Sequence, residues 1–177
     1  LEYGPAKHRA LKVLGLKSGR AALPSNDELE DEVRDYLALF CADTQPAELA
    51  ALRELAGLWM ARLAEFRPHL CGAVWRGTAT RLSNIHLQLY CDDSKSTEIA
   101  LINWQVDYEV GAIAGPRGRD IDVLSLAAPC RDLGEQITVH LSILDFDDLR
   151  GALKTDARGR SERGDLAALR KLMDEQA

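Results

Sequence analysis

The residues best suited to chemistry lie in one stretch, Leu70 to Cys91, reading LCGAVWRGTATRLSNIHLQLYC. Asn84, His86 and Gln88 alternate with Ile85, Leu87 and Leu89, the pattern of a strand with one polar and one buried face. Imidazole titrates near neutral pH and is a good ligand for zinc or nickel, so His86 is a candidate acid–base or metal-binding group. His140 sits in VHLSI, an echo of the IHLQL around His86. If those two segments are neighbours, His86, His140 and Asn84 form one catalytic candidate set. Ahead of the strand stand Gly72, Arg76, Gly77 and Ser83, the ligand-binding candidates. The two glycines let a backbone approach a phosphate, or alternatively close a tight strand-to-helix turn. Arg76 offers a phosphate contact, or an ion pair with an acidic neighbour.

These residues need elements to position them. An apolar strand over residues 70–75, a turn, and a second strand over 85–91 are expected, adjacent in one sheet and joined by Arg76 to Ser83. Two helices lead in. The first starts at the capping-box pattern Ser25-Asn26-Asp27-Glu28, and the second starts at Pro46 and runs to about Glu65. A shorter helix is read over 5–17, broken by Gly15 and the residues after it. After Cys91, Asp92 and Asp93 read as the cap of a short helix over Thr97–Trp104. Strands follow over Val106–Ile113, Ile121–Leu126 and Ile137–Leu144, with Gly111, Gly115, Pro116 and Gly118 as a turn. Asp145 to Lys154 reads as a helix start, 155–164 as a polar loop, and Asp165–Glu175 as an amphipathic helix; the basic stretch Arg150, Lys154, Arg158, Arg160 and Arg163 is read as solvated, with a phosphate or RNA contact as the alternative. Helices followed by a mixed run of strands give an α+β class.

A net charge of −6 excludes a protein whose main task is to coat nucleic acid, since that needs a basic footprint. No apolar run reaches the ~20 residues of a membrane span. Cys41, Cys71, Cys91 and Cys130 are widely spaced and form no CxxC pair, so reduced thiols and a cytoplasmic location are expected.

From Gly72 to Leu87 the sequence resembles the signature of the nucleotidyltransferase superfamily, the DNA polymerase beta-like fold. The pattern in its small bacterial members is Gly-Ser, two residues, Arg-Gly, one residue, Ala, three residues, then Ser-Asp, an apolar residue, Asp and an apolar residue. Gly72, Arg76, Gly77, Ala79, Ser83, Ile85 and Leu87 match in one ungapped register. The resemblance implies a nucleotidyltransferase-like mixed sheet flanked by helices, with helical extensions at both ends: 1–44 as the first extension, 45–155 as the core, 156–177 as a linker and helix. A structure that places either segment, 70–75 or 85–91, in a helix would end this reading outright.

In the family the two Asp hold divalent metal ions, and the Ser after the first Gly helps hold the nucleotide's phosphates. Here those positions are Asn84, His86 and Ala73. Magnesium wants anionic oxygen, which neither Asn nor His supplies. A third family carboxylate comes from a later strand, for which Asp107, Glu109, Asp120 and Asp122 are candidates; the echo favours His140 at that place, which would make the site Asn, His and His. The expectation is a divergent nucleotidyltransferase-like protein without classical metal-dependent transfer. It would keep a cleft for a nucleotide or another small anionic ligand. Magnesium and a nucleoside triphosphate enter as cofactors only if the family activity survives. The alternatives are an active enzyme with metal on Asp107, Glu109 or Asp122, and a protein-interaction module of toxin–antitoxin type. A protein partner or a homodimer fits the last; no membrane and no extended nucleic acid is expected as partner.

Overall fold

The computed structural model describes residues 3–16, 23–156 and 158–175. The chain divides into two compact units, Leu1–Asp43 and Thr44–Ala177. The first holds helices α1 (Tyr3–Val13) and α2 (Asn26–Phe40). The expected break at 18–25 lies mostly outside the described residues. The capping box at the start of α2 is formed: Glu28 N–H donates to Ser25 Oγ at 3.1 Å, and Ser25 N–H to the Glu28 carboxylate at 2.7 Å. Two orphan donors of the first turn are thereby satisfied.

The second unit contains α3 (Gln45–Arg62), β1 (His69–Cys71), α4 (Gly72–Arg76), β2 (Ile85–Tyr90), α5 (Ser94–Asn103), β3 (Tyr108–Ala114), β4 (Asp120–Cys130), β5 (Glu135–Leu144), α6 (Leu149–Ala152), β6 (Arg163–Gly164) and α7 (Leu166–Asp174). The strands form one mixed sheet in the order β3-β4-β5-β2-β1-β6. β2 and β5 are parallel, and every other pair is antiparallel. The fold is α+β.

Register explains which residues become core. Leu70, Leu87, Leu141 and Leu124 stand opposite one another across β1, β2, β5 and β4, and each is fully buried. They share one core cluster with Leu52, Ala56 and Met60 of α3 and Leu169 of α7. Because side chains alternate along a strand, the next residue in each strand faces the other way. That opposite row reads Glu109, Ser125, His140, His86, Cys71, Arg163 from β3 to β6.

Three expectations change. The strand read over 70–75 ends at Cys71, and Gly72 to Arg76 is helix. Gly72 and Gly77 have φ of +73° and +85°, left-handed conformations that bracket this short helix and favour glycine. Four of the six residues expected as strand, 72 to 75, are helical, against the condition set above, while Leu70 and Cys71 still pair with β2. Gly111, read as part of a turn, lies inside β3. The segment 156–177, read as linker and helix beyond the core, supplies β6 to the sheet and α7 to the core cluster. The polar composition of 155–164 hides this, since β6 is two residues long and held by Trp75. The Trp75 indole N–H donates to the Ser161 carbonyl at 2.8 Å, and its ring lies over Gly164, where a Cβ would sit 2.2 Å from it.

Candidate functional site

Asn84 immediately precedes β2, His86 is its second residue, and His140 is directly opposite His86 on β5. The two imidazole rings stack with centroids 4.9 Å apart and planes 27° from parallel. The Asn84 carboxamide N–H donates to His140 Nε2 at 3.1 Å, so Nε2 is the unprotonated nitrogen. The proton is then on Nδ1, which donates to Ser125 Oγ at 2.8 Å. Burial pushes the His140 pKa below its ordinary 6.5, in keeping with a neutral ring. An imidazolium has two donors and no acceptor, so protonation would require the Asn84 carboxamide to turn over. Ser125 is the member of this set that the sequence reading missed. Its signal was the SLA stretch of β4, but only the β4–β5 register places it beside His140.

The ligand-binding candidates behave differently. Ser83 Oγ accepts from the Thr80 backbone N–H at 3.0 Å and closes the turn before β2. Gly77 ends α4: its N–H and that of Thr78 both donate to the Ala73 carbonyl, at 2.9 and 3.0 Å. Gly72 approaches His86, whose Cδ2 would lie 3.5 Å from an added Cβ. Arg76 is half-buried at the end of α4. Of the basic residues read as solvated, Arg160 is half-buried against Asp156, and Arg163 is the more enclosed of the two. Its side chain is 18% exposed and it stands opposite Cys71, at the β6 end of the histidine row.

Polar residues of α3 hold this region, a role that its apolar stripe concealed. The buried Arg53 donates to the carbonyls of Val74 and Trp75 at 3.0 and 3.1 Å, serving the C-terminal end of α4. Gln45 Nε2 donates to the Gly77 and Ala79 carbonyls at 3.2 and 2.8 Å. Glu48 accepts the Arg81 backbone N–H at 2.9 Å.

The carboxylate candidates do not converge on His86. Glu109 is on the same row but two strands from His140, about 10 Å across the sheet. Asp122 has the parity of Leu124 and the core face. Among the described residues, no three His, Cys, Asp or Glu side chains come together to hold a metal ion. The donors present do not fit magnesium: one neutral amide, and a stacked imidazole pair in which both His140 nitrogens are already engaged. All four cysteines are free thiols, and Cys130 alone among them is buried.

Two clefts lie beyond the histidines, at the ends of β2 and β5. The larger, about 580 Å³, is lined by Tyr90, Asp147, Asp148, Lys154, Glu162 and Arg163 among others. The smaller, about 350 Å³, is lined by Asp92, Asp93, Asp120, Asp122 and Asp145 together with Arg119. Neither includes His86 or His140, which sit on the open sheet face.

No family model matches the chain. No curated protein matches it either. Three solved structures show a likeness. The Cid1 poly(U) polymerase with MgGTP bound is 13% identical with a TM-score of 0.38, over 54% of this chain and 32% of that one. A cytoplasmic RNA terminal U-transferase is 16% identical with a TM-score of 0.39, over 60% and 33%. Cid1 with the UTP analogue UMPNPP is 13% identical with a TM-score of 0.41, over 64% and 36%. This chain thus spans about a third of each. At these values the likeness concerns part of the fold, and no activity follows from it. No helix among the described residues is long and apolar enough to cross a membrane.

Proposed function

We propose that this chain is a divergent nucleotidyltransferase-like domain that does not carry out magnesium-dependent transfer. It binds a nucleotide or a similar small anion on the row Arg163, Cys71, His86, His140. The observation that carries the reading is the His140 position. Where the resemblance calls for converging carboxylates, the neighbour of His86 is a neutral imidazole held by Asn84 and Ser125. Two-metal transfer requires anionic ligands that hold both cations and stabilise charge on the attacking and leaving oxygens. Removing a single preorganised donor already costs ~100- to 1,000-fold in rate, and here both motif carboxylates are replaced. Support for an anion comes from Arg163 at one end of the row, a planar guanidinium suited to phosphate that an anion would take over from the exposed Glu162 carboxylate 3.2 Å away.

The test has two arms. Titration calorimetry with each of the four nucleoside triphosphates, without metal, is expected to show binding. Arg163→Ala should weaken it about tenfold, equivalent to about 1.4 kcal/mol. A radiolabelled transfer assay with magnesium and then manganese, over protein, RNA and small-molecule acceptors, is expected to give no product. Product that disappears with His86→Ala would overturn the reading, as would the absence of any nucleotide binding.

A further inference from the structure

We infer that Cys71 is a modification site, a thiol that a hydroperoxide converts to the sulfenic acid in the setting made by Arg163 and His86. Cys71 is paired to His86 across β2 and to Arg163 across β6. Side chains directly opposite in antiparallel strands have Cβ atoms about 5 Å apart. The thiol is reduced and partly exposed, and its Sγ donates to the His86 backbone carbonyl at 3.5 Å. Arg163 carries the charge of the setting. It also hydrogen-bonds the Tyr90 phenol, whose ionisation burial disfavours, Arg163 favours and a charge on Cys71 disfavours. The three groups are therefore within electrostatic reach of one another. The Arg163 Nε is buried and makes no hydrogen bond. A buried donor without an acceptor is costly, and a thiolate or a sulfenate oxygen on the neighbouring strand is an acceptor of the right charge.

The thiolate is the form that attacks an electrophile; a neighbouring guanidinium or imidazole favours it, and partial exposure admits the reagent. The other three thiols have different settings. Cys130 is buried. Burial pushes the Cys91 thiol up, and Asp92 and Asp93 add to it. Cys41 caps the C-terminal end of α2, whose last turn holds no basic residue and whose dipole disfavours an anion. Two carboxylates oppose the Arg163 charge. Glu162 is 3.2 Å from it but 63% exposed, so water screens it, and Asp148 acts on Tyr90 from the cleft side. In the reaction Cys71 gives its proton to solvent and its sulfur attacks one peroxide oxygen. The O–O bond breaks as the S–O bond forms, and the hydroxide that leaves takes up a proton. Thiol and hydrogen peroxide thus become sulfenic acid and water, the sulfur losing the two electrons that the peroxide gains. Nothing in this chemistry requires a bound nucleotide, so it holds with or without the anion reading.

The full native chain is treated with hydrogen peroxide in the presence of dimedone, and separately with iodoacetamide at neutral pH, and each cysteine peptide is quantified by mass spectrometry. The dimedone adduct is expected at Cys71. Its alkylation should be about tenfold faster than that of Cys41 or Cys91, which are also partly exposed. Arg163→Met is expected to slow Cys71 about tenfold, and Arg163→Lys to restore most of the rate because the charge is kept. Glu162→Gln removes the competing carboxylate from an exposed side chain and should speed Cys71 about twofold. A Cys71 that forms no dimedone adduct, or that reacts no faster than Cys41, overturns the inference. So does an Arg163→Lys variant no faster than Arg163→Met. An unchanged rate in Glu162→Gln does the same, and that result stands even if Arg163→Met loosens β6.

Discussion

His140 has both ring nitrogens engaged within the protein, and this sets what it can do. Its folded pKa lies below the ordinary value because burial disfavours the imidazolium. The unfolded chain therefore binds that proton more readily than the folded one. The stability this group contributes is fully present above pH 6.5, the unfolded value, and is lost as pH falls through the lower folded value. Denaturant titrations between pH 5 and 8 should show wild type losing more stability below ~6.5 than His140→Gln, which keeps a hydrogen-bonding side chain but cannot titrate. Parallel curves would contradict the assignment. Ser125→Ala, which strips Nδ1 of its partner, should cost about 1 kcal/mol by the same titration.

The donor set also predicts its own repair. Asn84→Asp with His86→Asp returns two anionic oxygens, yet leaves imidazole at the neighbouring position on β5. Calorimetry with magnesium should give a small heat for that pair and a larger one when His140→Asp is added, since a hard cation needs convergent carboxylates. A triple variant that binds no better than wild type would place the obstacle in the shape of the sheet face rather than in its charge.

At the scale of elements, α4 is five residues long, too short to be stable on its own propensity. It persists because its ends are served from elsewhere: Arg53 reaches the Val74 and Trp75 carbonyls, and Gly77 closes the last turn. Arg53→Met removes charge-assisted bonds to two carbonyls in a buried setting and should lower stability by about 3 kcal/mol in urea. Little change would mean that the turn is held by Gln45 and Gly77 alone. The attachment of β6 depends on shape. Gly164→Ala forces a Cβ into the Trp75 ring, which the Ser161 carbonyl anchors, so a loss of about 1–3 kcal/mol is expected. The same variant should shift the Trp75 fluorescence.

For the whole molecule, the sheet and its core cluster lie in Thr44–Ala177. The chain from residue 44 onward should fold by itself, keep its strand signal in circular dichroism and unfold cooperatively on heating. Trp59, Trp75 and Trp104 all fall in this unit and report on it. A truncated chain without a cooperative transition would show that residues 1–43 are needed for the core.

The sequence by itself determined what depends on local spacing. The alternation in IHLQLY specifies a strand with His86 and Gln88 on one face, and the Ser25 box and Asp93 specify helix starts, all through contacts within a few residues. The tertiary structure decided what depends on register between distant strands. The echo of IHLQL in VHLSI favoured His140 over Asp107, Glu109 or Asp122 as the neighbour of His86, but its place there is fixed by the parallel pairing of β2 with β5, whose partners are 54 residues apart in the chain. That Arg163 joins the row follows from a two-residue strand in a polar stretch with no periodicity to read. Period-two patterns state which way a side chain faces. They do not state which strand lies alongside, because backbone hydrogen bonds in a sheet are alike for every sequence, and burial of the leucine row selects the order only once the whole chain has packed.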